Sequence, residues 1–187
     1  MPTLSKNING LKGPILVMGA SGFVGANLFN TIKKYRDDIY AVVQHEKNWR
    51  LKDVKDEFIA PTNFNNQNVL KDLISKVQPK TIFDCIAYGA YSFEGKSNLI
   101  YQTNFQSLVS FVEILSSYNI DAYIHAGSSS EYGTNSAAPK EDSICKPNSH
   151  YAVSKYAASN YLNFVGKNKS FPCINLRLYS VYGPLED

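Results

Sequence analysis

PILVMGASGFVGANLFNTIKKY, residues 14–35, holds three kinds of pattern in a row. PILVMG is a short apolar run closed by a glycine, which reads as a buried strand. FVGANLFNTIKKY places Val24, Leu28, Phe29, Ile32 and Tyr35 at helical spacing. Between them lies GASGFVG, with Gly19, Gly22 and Gly25 at a strand-to-helix turn. Glycines there permit a tight turn and the close approach of a pyrophosphate. The helix N-terminus supplies unpaired N–H groups and the positive end of its dipole. The stretch therefore predicts a dinucleotide-binding loop over Gly19, Ser21, Gly22, Phe23, Val24 and Gly25, with Gly25 serving mainly to let helix and strand pack closely. The plainer reading is a tight turn without a ligand.

The same alternation continues along the chain. IYAVVQ (39–44), FIA (58–60), TIFDCIA (81–87), AYIHAG (122–127) and CINLRLYSVYG (173–183) have strand character. NVLKDLISKV (68–77), LIYQTNFQSLVSFVEILSSY (99–118) and YAVSKYAASNYLNFV (151–165) have helical spacing. Strands alternating with such helices imply right-handed crossovers and a parallel sheet covered on both faces. The expected fold is a doubly wound, three-layer α/β/α domain over 14–187, preceded by a polar tail at 1–13.

Bulk properties narrow the function. The 187 residues suffice for one domain, and 44% hydrophobic with 19% charged residues is ordinary for a globular protein. The net charge of +3 comes from scattered lysines and only Arg36, Arg50 and Arg177, so no basic run suggests nucleic acid or an anionic membrane. Cys85, Cys145 and Cys173 lack metal-ligand spacing, and no metal is expected; Cys85 and Cys173 read as small buried thiols. No apolar leader or membrane-length segment is seen, which makes a reducing cytoplasm the expected setting.

Tyr151 and Lys155 are four apart within a helical pattern, so their side chains share a face. In a chain with 13 tyrosines and many lysines, about one such pair arises by chance. Its meaning comes from its company. The chain resembles the extended short-chain dehydrogenase/reductase family of nucleotide-sugar epimerases, dehydratases and reductases. The resemblance rests on GASGFVG, Asn104 in YQTNFQSL, Ser128 in HAGSSSEYG, the Tyr151–Lys155 pair and RLYSVYGP at 177–184. It implies a Rossmann fold with Ser128, Tyr151, Lys155 and Asn104 as the catalytic set, and a substrate that is a nucleotide-linked sugar. Ser129 and Ser130 compete with Ser128, which register favours.

Hydride transfer to or from a carbinol needs a group that moves the hydroxyl proton in the same step. A phenolate at neutral pH requires a shift of about three units from tyrosine's usual value, or about 4 kcal/mol. One ammonium at about 4 Å and an effective dielectric of about 20 supplies that much. Lys155 can thus activate Tyr151, and the resemblance adds a bond from Lys155 to the nicotinamide ribose. His125, inside a strand, reads as a satisfied core or edge histidine rather than a base, and His45 and His150 as bystanders.

The cofactor subtype stays open between NAD and NADP. VVQHEKNWRLKD (42–53) carries Gln44 where relatives place an acidic residue for NAD or an arginine for NADP. Lys47 and Arg50 lie nearby with Glu46, a slight lean to NADP. Gln44, Arg50 and Ala87 complete the expected cofactor contacts, together with Tyr151 and Lys155. Ser129 and Ser130 stand where 4,6-dehydratases carry Asp-Glu, which disfavours a dehydratase, and Ser180 replaces an asparagine of the Val-Tyr-Gly-Pro segment. Reduction of a 4-keto sugar and C4 epimerisation are both compatible. A non-catalytic dinucleotide-binding module is the alternative. The resemblance further implies a homodimer through the helices at 98–117 and 151–166, whose surplus apolar residues include Leu108, Phe111, Leu115 and Leu162. It also makes the chain, ending at GPLED, look like the amino-terminal part of an enzyme with a further small substrate domain.

Overall fold

Ile15–Met18 form strand β1, and all four side chains are buried. The run is continuously apolar because the strand lies in the middle of a sheet covered on both faces. Ile15 and Val17 face a cluster with Ala26, Phe29 and Ile32, while Leu16 and Met18 face Leu70, Ile74, Phe111, Leu115 and Leu162. In this computed structural model, which describes residues 3–44, 48–90, 96–135 and 137–186, β1 pairs in parallel with β2 (Ile39–Val43) and with β4 (Thr81–Asp84). Outward from these lie β3 (Ile59–Pro61), β5 (Ala122–Ser128) and β6 (Cys173–Leu178), giving the order β3-β2-β1-β4-β5-β6. Every pairing is parallel. The strand order reverses between β1 and β4, and in open parallel sheets that switch point opens a crevice at the carboxyl ends of the strands.

The layers follow from local signals. Helix α2 (Phe23–Lys33) covers one face. Helix α3 (Gln67–Val77) starts where the Asn66 side chain accepts the Asn68 and Val69 amides, and ends at Gln78 in a left-handed conformation, φ 49°. The long helical pattern at 99–118 becomes α4 (Ser97–Tyr101), a π-helical turn (Gln102–Gln106) and α5 (Ser107–Leu115). Helix α6 (His150–Lys169) begins with the Ser149 hydroxyl accepting the Ala152 amide at 3.1 Å.

Two expectations change. The segment expected to be a polar tail contains α1 (Leu4–Asn9), whose Ile8 is buried with the α2 cluster. Arg36 donates to the Ile8 and Leu11 carbonyls, and the Thr81 hydroxyl donates to the Lys12 carbonyl at 2.6 Å. Leu108, Phe111, Leu115 and Leu162, offered above as surplus for a dimer, are instead all within the core of this chain. The large apolar side chains left exposed on these helices are Leu99, Val153 and Phe164.

Candidate active site

The glycine loop sits at the switch point. Gly19 has φ 69°, and a Cβ there would lie 3.0 Å from the Cys85 carbonyl and the Ile86 nitrogen, so β1 and β4 approach too closely for a side chain. At Gly25 a Cβ would lie 2.4 Å from the Gly19 carbonyl and 2.9 Å from the Ala20 Cα. Gly25 therefore lets α2 rest on the loop, as expected. Gly22 differs: it is exposed, caps α2 with φ −78°, and a Cβ would come no nearer than 3.3 Å to the Gly19 carbonyl.

The loop is pinned from the side by β2 and the turn after it. The Ala20 amide donates to Val42 at 3.1 Å. The Ser21 carbonyl accepts from Asn48 at 2.8 Å and Arg50 at 3.3 Å. Arg50 also donates to the Leu185 carbonyl at 2.8 Å and stacks on Trp49 with its guanidinium 4.6 Å from the ring centre. The first turn of α2 carries no acidic residue. A side-chain-free rim at Gly22, open first-turn amides and no acidic residue in that turn fit a pyrophosphate. Gln44 is exposed at the end of β2 and Ala87 is exposed beyond β4, both at this edge. His45, Glu46 and Lys47 lie outside the described residues.

Strand β5 brings Ser128 to the same edge, because Met18 pairs with Asp84 and Asp84 with His125. The Ser128 hydroxyl accepts the Ser130 amide at 3.1 Å, a bond that leaves its own proton to donate elsewhere, and the Ser128 amide donates to Glu131 at 3.2 Å. Glu131 is fully buried and accepts from Arg177 of β6 at 2.8 Å, while Arg177 also donates to the Tyr132 hydroxyl and the Glu141 carbonyl. Burial opposes the Arg177 charge, but the bonds to Glu131 and Tyr132 outweigh it and raise its pKa. Arg177 thus holds the turn that carries Ser128. Arg177→Met should strand the buried Glu131 charge and cost about 3 kcal/mol in chemical denaturation, with Arg177→Lys recovering part of it.

Asn104 is buried in the π-helical turn. Its amide donates to the Tyr88 carbonyl at 2.8 Å and to Ser154 at 2.9 Å, and its oxygen accepts the Tyr88 amide at 2.8 Å. Ser154 in turn donates to the Tyr151 carbonyl at 2.7 Å. Asn104 therefore ties the segment after β4 to the first turn of α6, and its amide protons are spent on that tie. π-turns recur where a helix must present one residue out of phase.

Tyr151 is half-buried in the first turn of α6, and Lys155 one turn on is 1% exposed. The Lys155 ammonium lies 3.2 Å from His125 Nε2, His125 Nδ1 lies 2.8 Å from Asp84 Oδ2, and the Tyr123 hydroxyl donates to that same oxygen at 2.6 Å. The expected satisfied histidine is found, with both ring nitrogens partnered. The carboxylate that partners it was not anticipated. Its signal was Asp84 itself, a charge inside the apolar run TIFDCIA.

Burial pushes the Lys155 pKa down against the charges of Asp84 and Glu131. Burial and the Lys155 charge push His125 down. For Asp84 burial works upward, but the His125 and Tyr123 bonds and the Lys155 charge outweigh it, and its pKa is lowered. A lowered histidine takes up its proton in the unfolded chain first, so stability should fall as pH falls below about 6.5. The expected slope is up to about 1.4 kcal/mol per pH unit, with Asp84 adding to the loss below about pH 4. Denaturation midpoints across this range test it, and His125→Gln should flatten the first part. Cys85, partly exposed as a residue, has a thiol pushed up to about 12 chiefly by burial, which leaves it no nucleophile at neutral pH. Cys173 is also partly exposed rather than sealed in the core.

A doubly wound parallel sheet with a glycine loop at its switch point, Ser128 at the same edge, and Tyr151 and Lys155 one turn apart on α6 defines a Rossmann-like fold. Residues 15–187 match the model of the NAD dependent epimerase/dehydratase family, and the chain belongs to that family. It is 29% identical over 185 residues to Protein CapI of Staphylococcus aureus, covering 91% of this chain and 54% of that protein. It is 27% identical over 184 residues to UDP-glucuronate 4-epimerase 2 of Arabidopsis thaliana, covering 91% of this chain and 42% of that one. The crystal structure of UDP-glucuronic acid 4-epimerase from Bacillus cereus, in complex with UDP-glucuronic acid and NAD, superposes with a TM-score of 0.79 at 26% identity, over 91% of this chain and 57% of that one. The chain thus spans about half the length of the relatives it matches. Among the described residues no helix is long and apolar enough to cross a membrane, and no three His, Cys, Asp or Glu side chains are grouped to hold a metal.

Proposed function

We propose that the protein is an NAD-dependent oxidoreductase or epimerase acting at C4 of a nucleotide-linked sugar, with residues 15–187 as its dinucleotide-binding part. The observation that carries this reading is the register of β1, β4 and β5. It sets the glycine loop and Ser128 on one sheet edge, with Lys155 packed against β5 through His125 and Tyr151 one turn before Lys155 on α6. Family membership and the UDP-sugar relatives support the substrate class.

The dinucleotide would supply the hydride acceptor and donor. Gly19, Ser21, Gly22, Phe23, Val24 and Gly25 would cradle its pyrophosphate, with Gln44, Arg50 and Ala87 along the rim. Tyr151 would take the proton from the sugar hydroxyl and return it to the carbonyl oxygen. Ser128 would donate a hydrogen bond to that oxygen and hold it near the phenol. Lys155 would favour the phenolate and bind the nicotinamide ribose, and Asn104 would act through the Tyr88 and Ser154 contacts that place α6. Keto reduction and epimerisation would use the same groups and differ in whether the sugar turns between the two transfers.

The slight lean to NADP is not kept. Arg50 is engaged with the Ser21 and Leu185 carbonyls and with Trp49, and the solved relative holds NAD. Weighing the nucleotide released by denatured protein, with titration of both dinucleotides, tests the assignment. NAD is expected; NADP would overturn the subtype, and binding of neither would overturn the reading. The non-catalytic module has against it the joint presence of Ser128, Tyr151 and Lys155, and a 4,6-dehydratase has Ser129 and Ser130 in place of Asp-Glu. A homodimer and a cytoplasmic setting belong to the same proposal. With Leu108 and its neighbours in the core, support for the dimer rests on Leu99, Val153 and Phe164, and Phe164→Glu should shift the light-scattering mass towards the monomer.

A further inference from the structure

A lysine that is 1% exposed cannot keep its charge without a counter-charge, because burial disfavours the ionised form. Among the described residues the buried carboxylates are Asp84 and Glu131. Glu131 is committed to Arg177. Asp84 is within reach of Lys155 only through His125, which stands between them on the neighbouring strand position.

The bond directions fix the proton on the ring. A carboxylate oxygen accepts, so Asp84 Oδ2 accepts one hydrogen bond from the Tyr123 hydroxyl and one from His125 Nδ1–H. His125 Nε2 then presents its lone pair to the Lys155 ammonium. An imidazolium would instead turn an N–H towards the ammonium. The neutral ring thus joins carboxylate to ammonium through two hydrogen bonds pointing the same way, an arrangement in which each bond polarises the next. The charged groups that act on His125 are Lys155 from α6, Asp84 from β4 and Glu131, with its Arg177, from the β5 turn and β6, while Tyr123 of β5 acts on Asp84 and Cys85 lies near both Asp84 and Lys155.

We propose that His125 is a positioning residue: with Asp84 behind it, the neutral ring holds the Lys155 ammonium charged and in place on the face of α6 that also carries Tyr151. The consequence for Tyr151 rests on the proposed function; the relay itself does not.

Two substitutions separate the two ring nitrogens. His125→Asn keeps an N–H near Nδ1 for Asp84 but removes the acceptor for Lys155. His125→Gln carries an amide oxygen far enough to replace Nε2 as that acceptor. Titration of the Lys155 amine by NMR on lysine-labelled protein reads the outcome without cofactor. Lys155 should stay protonated at neutral pH in the wild type, its midpoint should fall by about one unit in His125→Asn, a tenfold loss in proton affinity, and His125→Gln should restore most of it. The His125 nitrogen spectrum should show protonated Nδ1 and bare Nε2, with the Nε2 signal moving in Lys155→Met. A protonated ring, a proton on Nε2, or equal Lys155 midpoints in the Asn and Gln variants would overturn the proposal. NAD titration of the same samples tests the function separately: absent binding with the spectra as described supports the relay and sinks the dinucleotide reading.

Discussion

Tyr151→Phe should lower turnover of the nucleotide sugar by about a hundredfold to ten-thousandfold, the usual worth of a positioned general acid–base, while changing dinucleotide affinity little. The ring of Tyr151 is half-buried in the first turn of α6, and its removal would disturb packing; loss of the hydroxyl alone would not. The phenol oxygen moves the proton and need not hold the cofactor. Lys155→Met should damage both quantities, since the proposed roles of the ammonium are to tune Tyr151 and to grip the ribose. It should also lower stability, because Asp84 loses part of the charge that offsets its burial. The comparison belongs in the longest natural form of the protein, as the present chain spans about half the length of its relatives. Unimpaired turnover in Tyr151→Phe would remove Tyr151 from the mechanism.

Gly22→Val should weaken NAD binding by at least about a hundredfold, or about 2.7 kcal/mol, with little loss of stability. The two effects separate because of where Gly22 sits. Its φ of −78° suits any residue, and its missing Cβ would meet only the Gly19 carbonyl at 3.3 Å. The branched side chain would therefore stand on the exposed rim of the loop, in the space a pyrophosphate needs beside the α2 amides. Gly25→Val is the contrasting control. Its Cβ would lie 2.4 Å from the Gly19 carbonyl, so that variant should lose the fold as well as the ligand. Calorimetry showing wild-type affinity in a folded Gly22→Val protein would mean that the loop does not bind the dinucleotide.

Much of this was legible in the residues because it is local. Alternating strand and helix periods led to the parallel sheet, and the glycines between Met18 and Ala26 marked its switch point. The π-helical turn at Gln102–Gln106 was not legible, since one out-of-phase turn barely disturbs an apolar period that continues on both sides. Leu108, Phe111, Leu115 and Leu162 looked surplus because apolar spacing does not say how wide a face the sheet will cover. The Asp84–His125 and Glu131–Arg177 pairs join residues 41 and 46 positions apart. Such contacts depend on which strands become neighbours and in what register, and no spacing within one segment encodes that. Ile8 was missed for a different reason: Leu4, Ile8 and Leu11 do stand at helical spacing, but three apolar residues among polar neighbours make a short, weak period, although Ile8 and Leu11 pack on the cluster over α2.

Ser128, Tyr151 and Lys155 are proposed to work on a sugar rather than merely survive beside a bound dinucleotide. The direct measurement incubates the full natural protein with NAD and a panel of nucleotide sugars, and follows the configuration at C4 by NMR. At least one UDP-linked sugar should be converted, dependent on the dinucleotide, and the conversion should be lost in Tyr151→Phe. Saturable NAD binding with every sugar left unchanged would contradict it, and would make the protein a dinucleotide-binding module without this chemistry.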